Sequence, residues 1–474
     1  MRCNRLSMNQ ICPDADLAAA AEAILASDAV TIISHIDADG ITSESILSQA
    51  ISRLEIPVKT TFIRQLDPLT LHQIPQDDSL KIFSDLGSGQ QILIEQLGFT
   101  SDQVIIVDHH VSQPSECEYL EVNSLKYGEH KTSAAGIAYL IARELDGANK
   151  DLAKLGIVGN VGDMMDREDL CFTGLSRSIL KDAIEHGNVE VWERDLNIYG
   201  ISTRPLPNAL AYTDDIEIPG ISNDISGAQR FLEHLGIFPI HGRTWPVWQN
   251  LPFEQKQNIT SALVEHVIAH NRSTERMFID HYLFLDERRE YGPLLNASEY
   301  ATLLNSCGRW SKPVLGSAIC RGDRGSSYQE ADIMLRNHRA KIREVLEYIT
   351  DKGVSEYSHM LFIHVGALFP DTIVGIGAGM ALSRLNPKKP ILIMCEDSMD
   401  ETVTKVSMRT KPDVIKSGVD LQFALSMAAE RYGGSGGGHK IAAGAFIPKN
   451  VEQEFTEDVN RILAEQFRAS ESNS

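Results

Sequence analysis

The stretch AVTIISHIDADG, residues 29–40, decides the fold of the first half of the chain. It opens with a short run of apolar and β-branched residues, which is typical of a buried strand, and it ends in a polar cluster. Residues 41–53 then have the periodicity of a helix. Further strands are predicted over Val58–Ile63, residues 80–83 and residues 103–107. Strands that alternate with helices predict a parallel sheet, whose ligands bind beyond the carboxyl ends of the strands.

Acidic residues and histidines follow three of these predicted strands. They are Asp37 and Asp39 after the first strand, Asp85 after the third, and Asp108, His109 and His110 after the fourth. Oxygen and imidazole donors without sulfur suit Mn²⁺ or Mg²⁺, and less often Zn²⁺. Two cations about 3.5–4 Å apart need a bridging carboxylate, which Asp85, a single acid on a middle strand, can supply. Asp163, at the end of a small-residue stretch over residues 156–163, is expected to reach the same site.

Each of these residues also has a plainer interpretation. An aspartate after a strand is more often a turn or helix-capping residue, and adjacent histidines are more often solvated than bound to a metal. The repetition of the pattern at the ends of several strands favours a metal site over separate coincidences. The role of His35 stays open, because this residue can bind a metal, contact a phosphate or orient its loop.

The four clusters carry a family resemblance. HIDADG at residues 35–40, Ser84-Asp85, Asp108-His109-His110 and Gly162-Asp163 resemble, in this order, the four motifs of the DHH phosphoesterases. The resemblance implies that the metal ligands are Asp37, Asp39, Asp85, His109 and Asp163. It also implies two divalent cations bridged by Asp85, with Mn²⁺ favoured over Mg²⁺. By the same resemblance, His110 would contact the scissile phosphate and Asp108 would orient a histidine. His35 stands where bacterial RecJ commonly has an acid. Archaeal-type RecJ relatives share this histidine.

The chain between residues 197 and 291 has a looser pattern. Six prolines break it into short pieces, and we interpret it as a linker with a small helical insertion over residues 253–270. Trp245 and Trp248 are interpreted as packing anchors, with stacking of nucleic-acid bases as the alternative.

From residue 294 the pattern becomes regular again. Helices are predicted over residues 296–307, 329–349, 373–384 and 421–432, and strands over residues 360–364, 391–394 and 403–408. The glycine run GGSGGGH, residues 433–439, follows the last of these helices. Glycines allow positive φ angles and a close approach of backbone N–H groups to phosphate. We therefore interpret the run as a phosphate-binding loop that ends in His439, rather than as a flexible linker.

Three stretches of this half resemble elements of known families. The glycine run resembles the glycine–histidine motif of the DHHA1 domain, the usual C-terminal partner of the DHH domain. Residues 305–309 resemble the NAxGR element of RecJ, and Ser407-Met-Arg409 resembles its Ser-x-Arg. The substrate-binding residues that this resemblance implies are Asn305, Arg309, Ser407, Arg409, Gly436, Gly437, Gly438 and His439.

Composition limits the partners and the compartment. With 44 basic and 65 acidic residues, the 474-residue chain has a formal net charge of −21, which disfavours broad nonspecific binding of duplex nucleic acid. The seven cysteines form no close CxxC pair, which indicates reduced thiols in a cytoplasm and no cysteine zinc site. The longest apolar stretch, residues 360–382, is interrupted by polar residues, proline and glycines, so we expect no membrane span.

These observations lead to one expectation of fold and function. We expect an α/β protein with a parallel-sheet DHH domain over residues 1–200, a linker and helical insertion over 201–290, and an α/β DHHA1 domain over 291–474. The two α/β domains are expected to face each other across a groove. The expected activity is that of a metal-dependent, RecJ-like exonuclease, which hydrolyses the phosphodiester bonds of single-stranded DNA and/or RNA by a two-metal mechanism.

Two other functions stay open. One is a phosphodiesterase or phosphatase of short oligonucleotides, cyclic dinucleotides or nucleoside phosphates, as smaller DHH–DHHA1 proteins are. The other is a replication scaffold, like the eukaryotic RecJ relative that associates with the helicase and its GINS partner. Such a scaffold has typically lost metal ligands, whereas every ligand is present here. A GINS-like replication partner or an RNA-processing partner is compatible with the enzymatic function.

Overall fold

The computed structural model describes residues 14–68, 70–113, 115–213, 216–287, 292–382, 384–398 and 400–471. The chain divides into two compact units, the first ending at Asp332 and the second beginning at Ile333. Within the described residues, no helix is both long enough and apolar enough to cross a lipid bilayer.

The first unit is built on a five-stranded parallel sheet. Its strands are β1 (Val30–His35), β2 (Val58–Ile63), β3 (Leu80–Ser84), β4 (Val104–Asp108) and β5 (Leu120–Asn123), in the order β2-β1-β3-β4-β5. The helices of this part are α1 (Asp14–Leu25), α2 (Ala38–Arg53), α3 (Gln91–Glu95), α4 (Ala134–Leu145), α5 (Ala153–Gly162) and α6 (Gly174–His186). The predicted parallel sheet is confirmed, and its carboxyl edge carries all three motif loops that follow strands.

Small residues let α2, α4 and α5 pack closely beside that edge. A Cβ atom added to Gly159 of α5 would lie 2.3 Å from the Cβ of Ala135 and 2.6 Å from Oδ1 of Asp39. A side chain at this position would therefore displace α4 or the aspartate. The glycines of the stretch over residues 156–163 thus serve close helix packing, which brings the end of α5 to the edge of the sheet.

The segment that follows has more structure than a linker with one insertion. An antiparallel pair, β6 (Val189–Leu196) and β7 (Phe278–Phe284), encloses the helices α7 (Leu206–Ala211), α8 (Ile225–His234) and α9 (Phe253–Ala269). These helices share a hydrophobic core in which Trp248 is fully buried and donates a hydrogen bond from Nε1 to Oδ2 of Asp195 at 2.9 Å. The prolines hid this structure from the sequence pattern because several of them, such as Pro205 and Pro252, lie at helix starts.

Two further helices, α10 (Ala297–Arg309) and α11 (Pro313–Cys320), complete the first unit and pack against α2. A Cβ atom added to Gly308 would lie 1.7 Å from the carbonyl oxygen of Ile36, so α10 lies directly on the first motif loop. The expected domain start at residue 291 therefore differs from the observed second unit, which begins within α12 (Ser326–Lys352). The physical reason is that residues 297–320 pack on the first sheet's helices.

The second unit contains a six-stranded sheet of order β12-β13-β11-β10-β9-β8. Its strands are β8 (Ser355–Glu356), β9 (Leu361–His364), β10 (Ile391–Glu396), β11 (Val403–Arg409), β12 (Ser435–His439) and β13 (Ala442–Pro448). Its helices after α12 are α13 (Asp371–Ala381), α14 (Pro412–Lys416), α15 (Leu421–Arg431) and α16 (Glu452–Glu471). The pair β9–β10 is parallel and the remaining strand pairs are antiparallel. The α/β class expected for this half is confirmed.

The glycine run is an edge strand and not the loop that its composition predicted. β12 pairs antiparallel with β13, and its backbone lies close to neighbouring main chain. An added Cβ atom would lie 2.9 Å from the carbonyl oxygen of Leu425 at Gly436, and 2.7 Å from that of Ala442 at Gly438. Glycine has a low strand propensity, so the sequence contained no strand signal here. The close approach of the backbone explains why glycines are needed.

Candidate metal centre

The first two aspartates of the site lie where β1 passes into α2. Asp37 is the N-cap of α2, and its Oδ1 accepts a hydrogen bond from the backbone N–H of Gly40 at 3.0 Å. Asp39, in the first turn, is fully buried. Its Oδ1 accepts from Ser133 Oγ at 2.6 Å and from the N–H of Ala135 at 2.9 Å. The start of α4 therefore fixes Asp39, as expected for a carboxylate at the positive end of a helix.

Asp85 occupies the first position after β3 and has a left-handed backbone, with φ of +60°. Its backbone N–H donates to the carbonyl oxygen of Val107 on the adjacent strand β4 at 2.9 Å. This bond holds the strained residue at the sheet edge, and its side chain is buried. Aspartate tolerates this backbone conformation better than most residues do.

Three groups of potential ligand atoms share Asp85. One contains Asp85, Asp108, His109 and His110, and the other two, a larger and a smaller group, contain the predicted metal ligands. In the larger group, single atoms of four side chains all lie within 4.8 Å of one another: Asp39, Asp85, His109 and Asp163. The smaller group contains His35, Asp37 and Asp85. Oδ1 of Asp85 lies 3.5 Å from Nε2 of His109, and its Oδ2 lies 3.2 Å from Nδ1 of His35. One carboxylate thus offers a different oxygen to each group, which is the geometry of a bridging ligand.

The larger group fits a cation better than a set of hydrogen bonds. Nε2 of His109 lies 3.0 Å from Asp163 Oδ2, 3.5 Å from Asp85 Oδ1 and 3.8 Å from Asp39 Oδ2. Nevertheless, within the described part of the chain, neither this nitrogen nor Asp85 Oδ1 has a hydrogen-bond partner, although both are buried. Buried polar atoms without partners are rare, and an ion is one of the usual reasons for them.

The electrostatics of the group agree with this interpretation. Burial, followed by the charges of Asp85 and Asp163, raises the pKa of Asp39 well above its ordinary value. Burial and the charge of Asp37 likewise raise the pKa of Asp85. Carboxylates so arranged destabilise one another in water-poor surroundings, and divalent cations would remove that repulsion. Oxygen and imidazole donors of this kind suit Mn²⁺ or Mg²⁺.

Asp108 and His110 form a pair beside the cluster. Oδ1 of the fully buried Asp108 lies 2.7 Å from Nδ1 of His110 and accepts from the backbone N–H of His109 at 2.8 Å. Its Oδ2 accepts from the N–H of Ser88 at 2.9 Å. Burial opposes ionisation of Asp108, but these hydrogen bonds and the histidine charges lower its pKa to about 2. For His110, burial opposes the charged form, yet the hydrogen bond and charge of Asp108 outweigh it and raise the pKa.

The last turn of α10 contributes two more of the predicted residues. Oδ1 of Asn305 accepts a hydrogen bond from the backbone N–H of Ala38 at 3.0 Å, so this side chain holds the first motif loop. Arg309 is half-buried near Asp37 and Arg64. Its partial burial and the Arg64 charge outweigh the effect of Asp37 and lower the pKa of Arg309. The sequence interpretation missed Arg64. Its one signal was its position directly after β2, whose last residue is in register with His35.

The remaining predicted residues lie in the second unit, on its sheet. Across the three neighbouring strands, Arg409 is paired with Ala442, and Ala442 with His439. Two residues along the strands, Ser407 is paired with Gly444, and Gly444 with Gly437. Paired residues project to the same face of a sheet, so the predicted positions on that face are Ser407, Arg409, Gly437 and His439. Gly436 and Gly438 alternate with these and belong to the opposite face, where Gly436 lies against α15. Only part of the glycine run therefore shares a surface with Arg409.

The guanidinium of Arg409 lies between the sheet and α13. Nη1 donates to the carbonyl oxygens of Met408 at 2.8 Å and of Ala443 at 3.2 Å. A Cβ atom added to Gly375 of α13 would lie 2.8 Å from Nη2 of the arginine. The glycines of α13 thus leave the space that this side chain occupies.

Comparison with known proteins gives three domain matches along the chain. Residues 29–159 match the N-terminal domain of the DHH family, residues 198–280 match the DHH-CID domain, and residues 363–465 match the DHHA1 domain. The chain belongs to the DHH–DHHA1 superfamily. The DHH match covers the sheet with its motif loops, and the DHHA1 match covers the sheet with the glycine strand.

One relative extends over most of the chain and another over about a quarter of it. An uncharacterized protein of Methanocaldococcus jannaschii is 27% identical over 451 residues, which are 93% of this chain and 94% of that protein. A putative prophage-derived single-strand DNA-specific exonuclease of Bacillus subtilis is 30% identical over 146 residues, which are 28% of this chain and 25% of that protein.

Solved structures share the fold at lower identity. RecJ from Thermus thermophilus, in complex with Mn²⁺, is 16% identical with a TM-score of 0.59, over 96% of this chain and 55% of RecJ. This chain therefore corresponds to about half of that protein. CDC45 from Entamoeba histolytica is 12% identical with a TM-score of 0.64, over 92% of this chain and 95% of CDC45. At these identities, the similarity shows the fold.

Proposed function

We propose that this protein is a metal-dependent phosphodiesterase that uses two divalent cations and acts as an exonuclease on single-stranded nucleic acid. The observation that carries the proposal is the position of Asp85, which offers Oδ1 to the group around His109 and Oδ2 to the group around His35. A single cation site would need only one of these groups. A bridging carboxylate between two groups is typical of two-metal centres that hydrolyse phosphate esters.

The residues that would hold the cations are Asp39, Asp85, His109 and Asp163 for one, and His35, Asp37 and Asp85 for the other. Such cations supply an activated water and stabilise charge on the reacting phosphate. His110 would bind the same phosphate, with its ring held in place by the contact of Nδ1 with Asp108. The raised pKa of His110 favours its charged form, which can donate to an anion.

Two arginines beside the centre support a substrate that carries further phosphates. Arg309 lies within electrostatic reach of Arg64 and of Asp37. Guanidinium groups bind phosphate oxygens in a bidentate manner, which suits a nucleic-acid backbone or a terminal phosphate. In the second unit, Arg409 and His439 share one sheet face and would bind the backbone or the terminal base. The Bacillus relative is named as a putative single-strand DNA-specific exonuclease, which supports a nuclease. The Thermus RecJ structure is a complex with Mn²⁺, which supports manganese.

The decisive experiment uses the full chain with end-labelled single-stranded DNA and RNA of 3 to about 40 nucleotides, and with a duplex of the same sequence. Mn²⁺, Mg²⁺ or EDTA is added, and Asp85→Ala serves as the inactive control. We expect release of nucleotides from one end of single strands, dependence on divalent metal, and little action on duplex. The label position reports polarity, and the two sugars report substrate preference.

Other outcomes assign the protein to one of its rivals. Activity that falls sharply beyond a few nucleotides would make it an oligonucleotide or dinucleotide phosphodiesterase. The absence of any hydrolysis with Mn²⁺ or Mg²⁺ would refute the enzymatic proposal and favour a scaffold. The similarity to CDC45 makes a protein partner a further proposal, which pull-down with replication or RNA-processing factors would test alongside activity.

A further inference from the structure

Glu121 is a buried carboxylate that the proposed reaction does not use. It lies on β5, the strand next to β4 in the parallel sheet, and it exposes 4% of its surface. It belongs to none of the groups of candidate metal ligands found among the described residues. A buried carboxylate normally has a partner for each oxygen, and its partners indicate what it does.

The hydrogen bonds of Glu121 connect two different motif loops. Oε1 accepts from the Ser88 hydroxyl at 2.5 Å and from the Ser112 hydroxyl. Ser88 is the third residue after Asp85, and Ser112 is the second residue after His110. One carboxylate oxygen therefore joins the loop that carries the bridging aspartate to the loop that carries both histidines.

Neighbouring bonds strengthen this connection. Asn123 Nδ2 donates to Glu121 Oε1 at 3.0 Å and to the carbonyl oxygen of His110 at 2.8 Å. The backbone N–H of Ser88 donates to Asp108, and the N–H of Gln113 donates to the carbonyl oxygen of Ser88 at 2.8 Å. The other oxygen of Glu121, Oε2, accepts from Gln91 Nε2 at 3.3 Å and lies 3.2 Å from Lys126 Nζ.

We propose that Glu121 is a positioning residue that fixes the distance between Asp85 and His109, and through it the geometry and affinity of the larger cation site. The inference rests on the proposed function, since it assigns a role in the same centre. Asp85 Oδ1 and His109 Nε2 have no hydrogen-bond partner of their own within the described chain. Their separation of 3.5 Å is therefore set by the loops that carry them. Glu121 accepts hydrogen bonds from side chains of both loops, and Asp108 accepts from backbone N–H groups of both.

An ionised carboxylate is well suited to this role. It only accepts hydrogen bonds, so it can bind two hydroxyl donors and two amide donors at once. With an amide in its place, the NH₂ group would face the donor groups of Gln91 and Lys126, where no hydrogen bond can form. The amide would also lack the charge that strengthens the remaining bonds. Glu121→Gln thus loosens the connection while keeping the shape of the side chain.

The test compares Glu121→Gln, Ser112→Ala and the matched control Glu118→Gln in the full chain. Glu118 is an exposed acid on the same segment, so its change removes the same charge without touching the two loops. Mn²⁺ affinity is measured from the electron paramagnetic resonance signal of free Mn²⁺. Thermal unfolding in EDTA is measured for each variant, and nuclease rates are measured as a function of Mn²⁺ concentration.

We expect Glu121→Gln to weaken Mn²⁺ binding by roughly 10- to 100-fold, as loss of an orienting partner commonly does, with activity partly recovered at high Mn²⁺. Ser112→Ala should show a smaller change in the same direction, and Glu118→Gln none. If Glu121→Gln fails to fold, Ser112→Ala carries the test alone. Unchanged Mn²⁺ affinity in the folded variants, with only a lower melting temperature, would overturn the inference and leave Glu121 a structural residue.

The same measurements separate this inference from the proposed function. A wild-type protein that binds Mn²⁺ without hydrolysing nucleic acid would refute the nuclease, and the affinities would still decide the role of Glu121. Hydrolysis by the wild type together with equal Mn²⁺ affinity in all variants would refute the inference alone.

Discussion

Asp85→Asn changes a single oxygen to an amide nitrogen at the residue shared by both donor groups. Asparagine tolerates the left-handed backbone at this position, so the substitution isolates the effect of charge. A carboxyl group whose pKa is raised in the folded protein, as that of Asp85 is by burial and by Asp37, destabilises the fold at neutral pH. That penalty disappears as the pH falls. In EDTA at pH 7, the variant should therefore be at least as stable as the wild type.

The distances give the size of the effect. The ligand oxygens of Asp39 and Asp85 lie within 4.8 Å of each other. Two unit charges at that separation repel by about 3 kcal/mol at an effective dielectric constant of 20. Nearby histidines and partial protonation reduce this value, so we expect the metal-free variant to gain about 1–3 kcal/mol. Bound cations act in the opposite sense: each stabilises the wild type by about 2.7 kcal/mol at a concentration of 100 Kd.

Thermal unfolding of the full chain, with and without Mn²⁺, measures both the stability gained by removing the Asp85 charge and the stability gained from bound cations. The wild type should be stabilised by saturating Mn²⁺, and Asp85→Asn should lose most of that stabilisation together with its hydrolytic activity. Asp102→Asn is the matched control, because Asp102 is an exposed acid just before β4, at the opposite end of that strand from the site. It should respond to Mn²⁺ as the wild type does.

Two results would refute this reasoning. If Mn²⁺ stabilises Asp85→Asn as much as the wild type, Asp85 is not a ligand. If the metal-free variant is several kcal/mol less stable than the wild type, the carboxylate is held by favourable bonds, and the assignment of repulsion between Asp39 and Asp85 is wrong.

Three further substitutions test other parts of the site. Asp108→Asn should lower the free energy of unfolding by about 2 kcal/mol at pH 7, because the pKa of this carboxyl falls from 3.8 to about 2 on folding. Stability from this source is present above about pH 4 and lost toward pH 2. Denaturant unfolding should therefore show a smaller difference between wild type and variant at pH 3 than at pH 7. Gly308→Ala should destabilise by more than about 1–3 kcal/mol in the same assay, since its Cβ atom would overlap the carbonyl oxygen of Ile36, and a neutral result would contradict that packing. Arg309→Ala should weaken single-strand binding roughly tenfold and reduce the slope of log K against log[salt] by about 0.7, and an unchanged slope in a salt titration would exclude contact with phosphate.

The parallel sheet and the convergence of the candidate metal ligands were predictable because both follow from local pattern. Each ligand of the three strand-borne motifs stands directly after a short apolar run, and parallel strands end at the same edge. Asp163 was predictable for a related reason: the glycines before it, including Gly159, are required by helix packing. In these cases a few adjacent residues contain the whole signal.

What the sequence missed depends on contacts between distant residues. The substrate-binding role of Asn305 stays a prediction, and the sequence did not reveal that its amide oxygen accepts from the N–H of Ala38, 267 residues earlier. Glu121 joins two loops through serines whose sequence positions have no distinctive pattern. β12 was missed for the opposite reason, since its glycines are needed by tertiary packing although they disfavour strands locally. A role that arises only in the folded chain has no signal in a window of sequence.

The acidity of the chain has a different consequence at the candidate metal centre. The formal net charge is −21, yet the charges at the centre are arranged so that cations reverse their effect. Four aspartates would be neutralised formally by two divalent cations, and Arg309 lies beside them near Arg64. Without cations, the same aspartates would repel a phosphate backbone. Substrate binding itself, and not only turnover, should then require metal: a labelled single strand should bind more weakly in EDTA than with Ca²⁺, and equal binding in both would show that affinity comes from a surface remote from the centre.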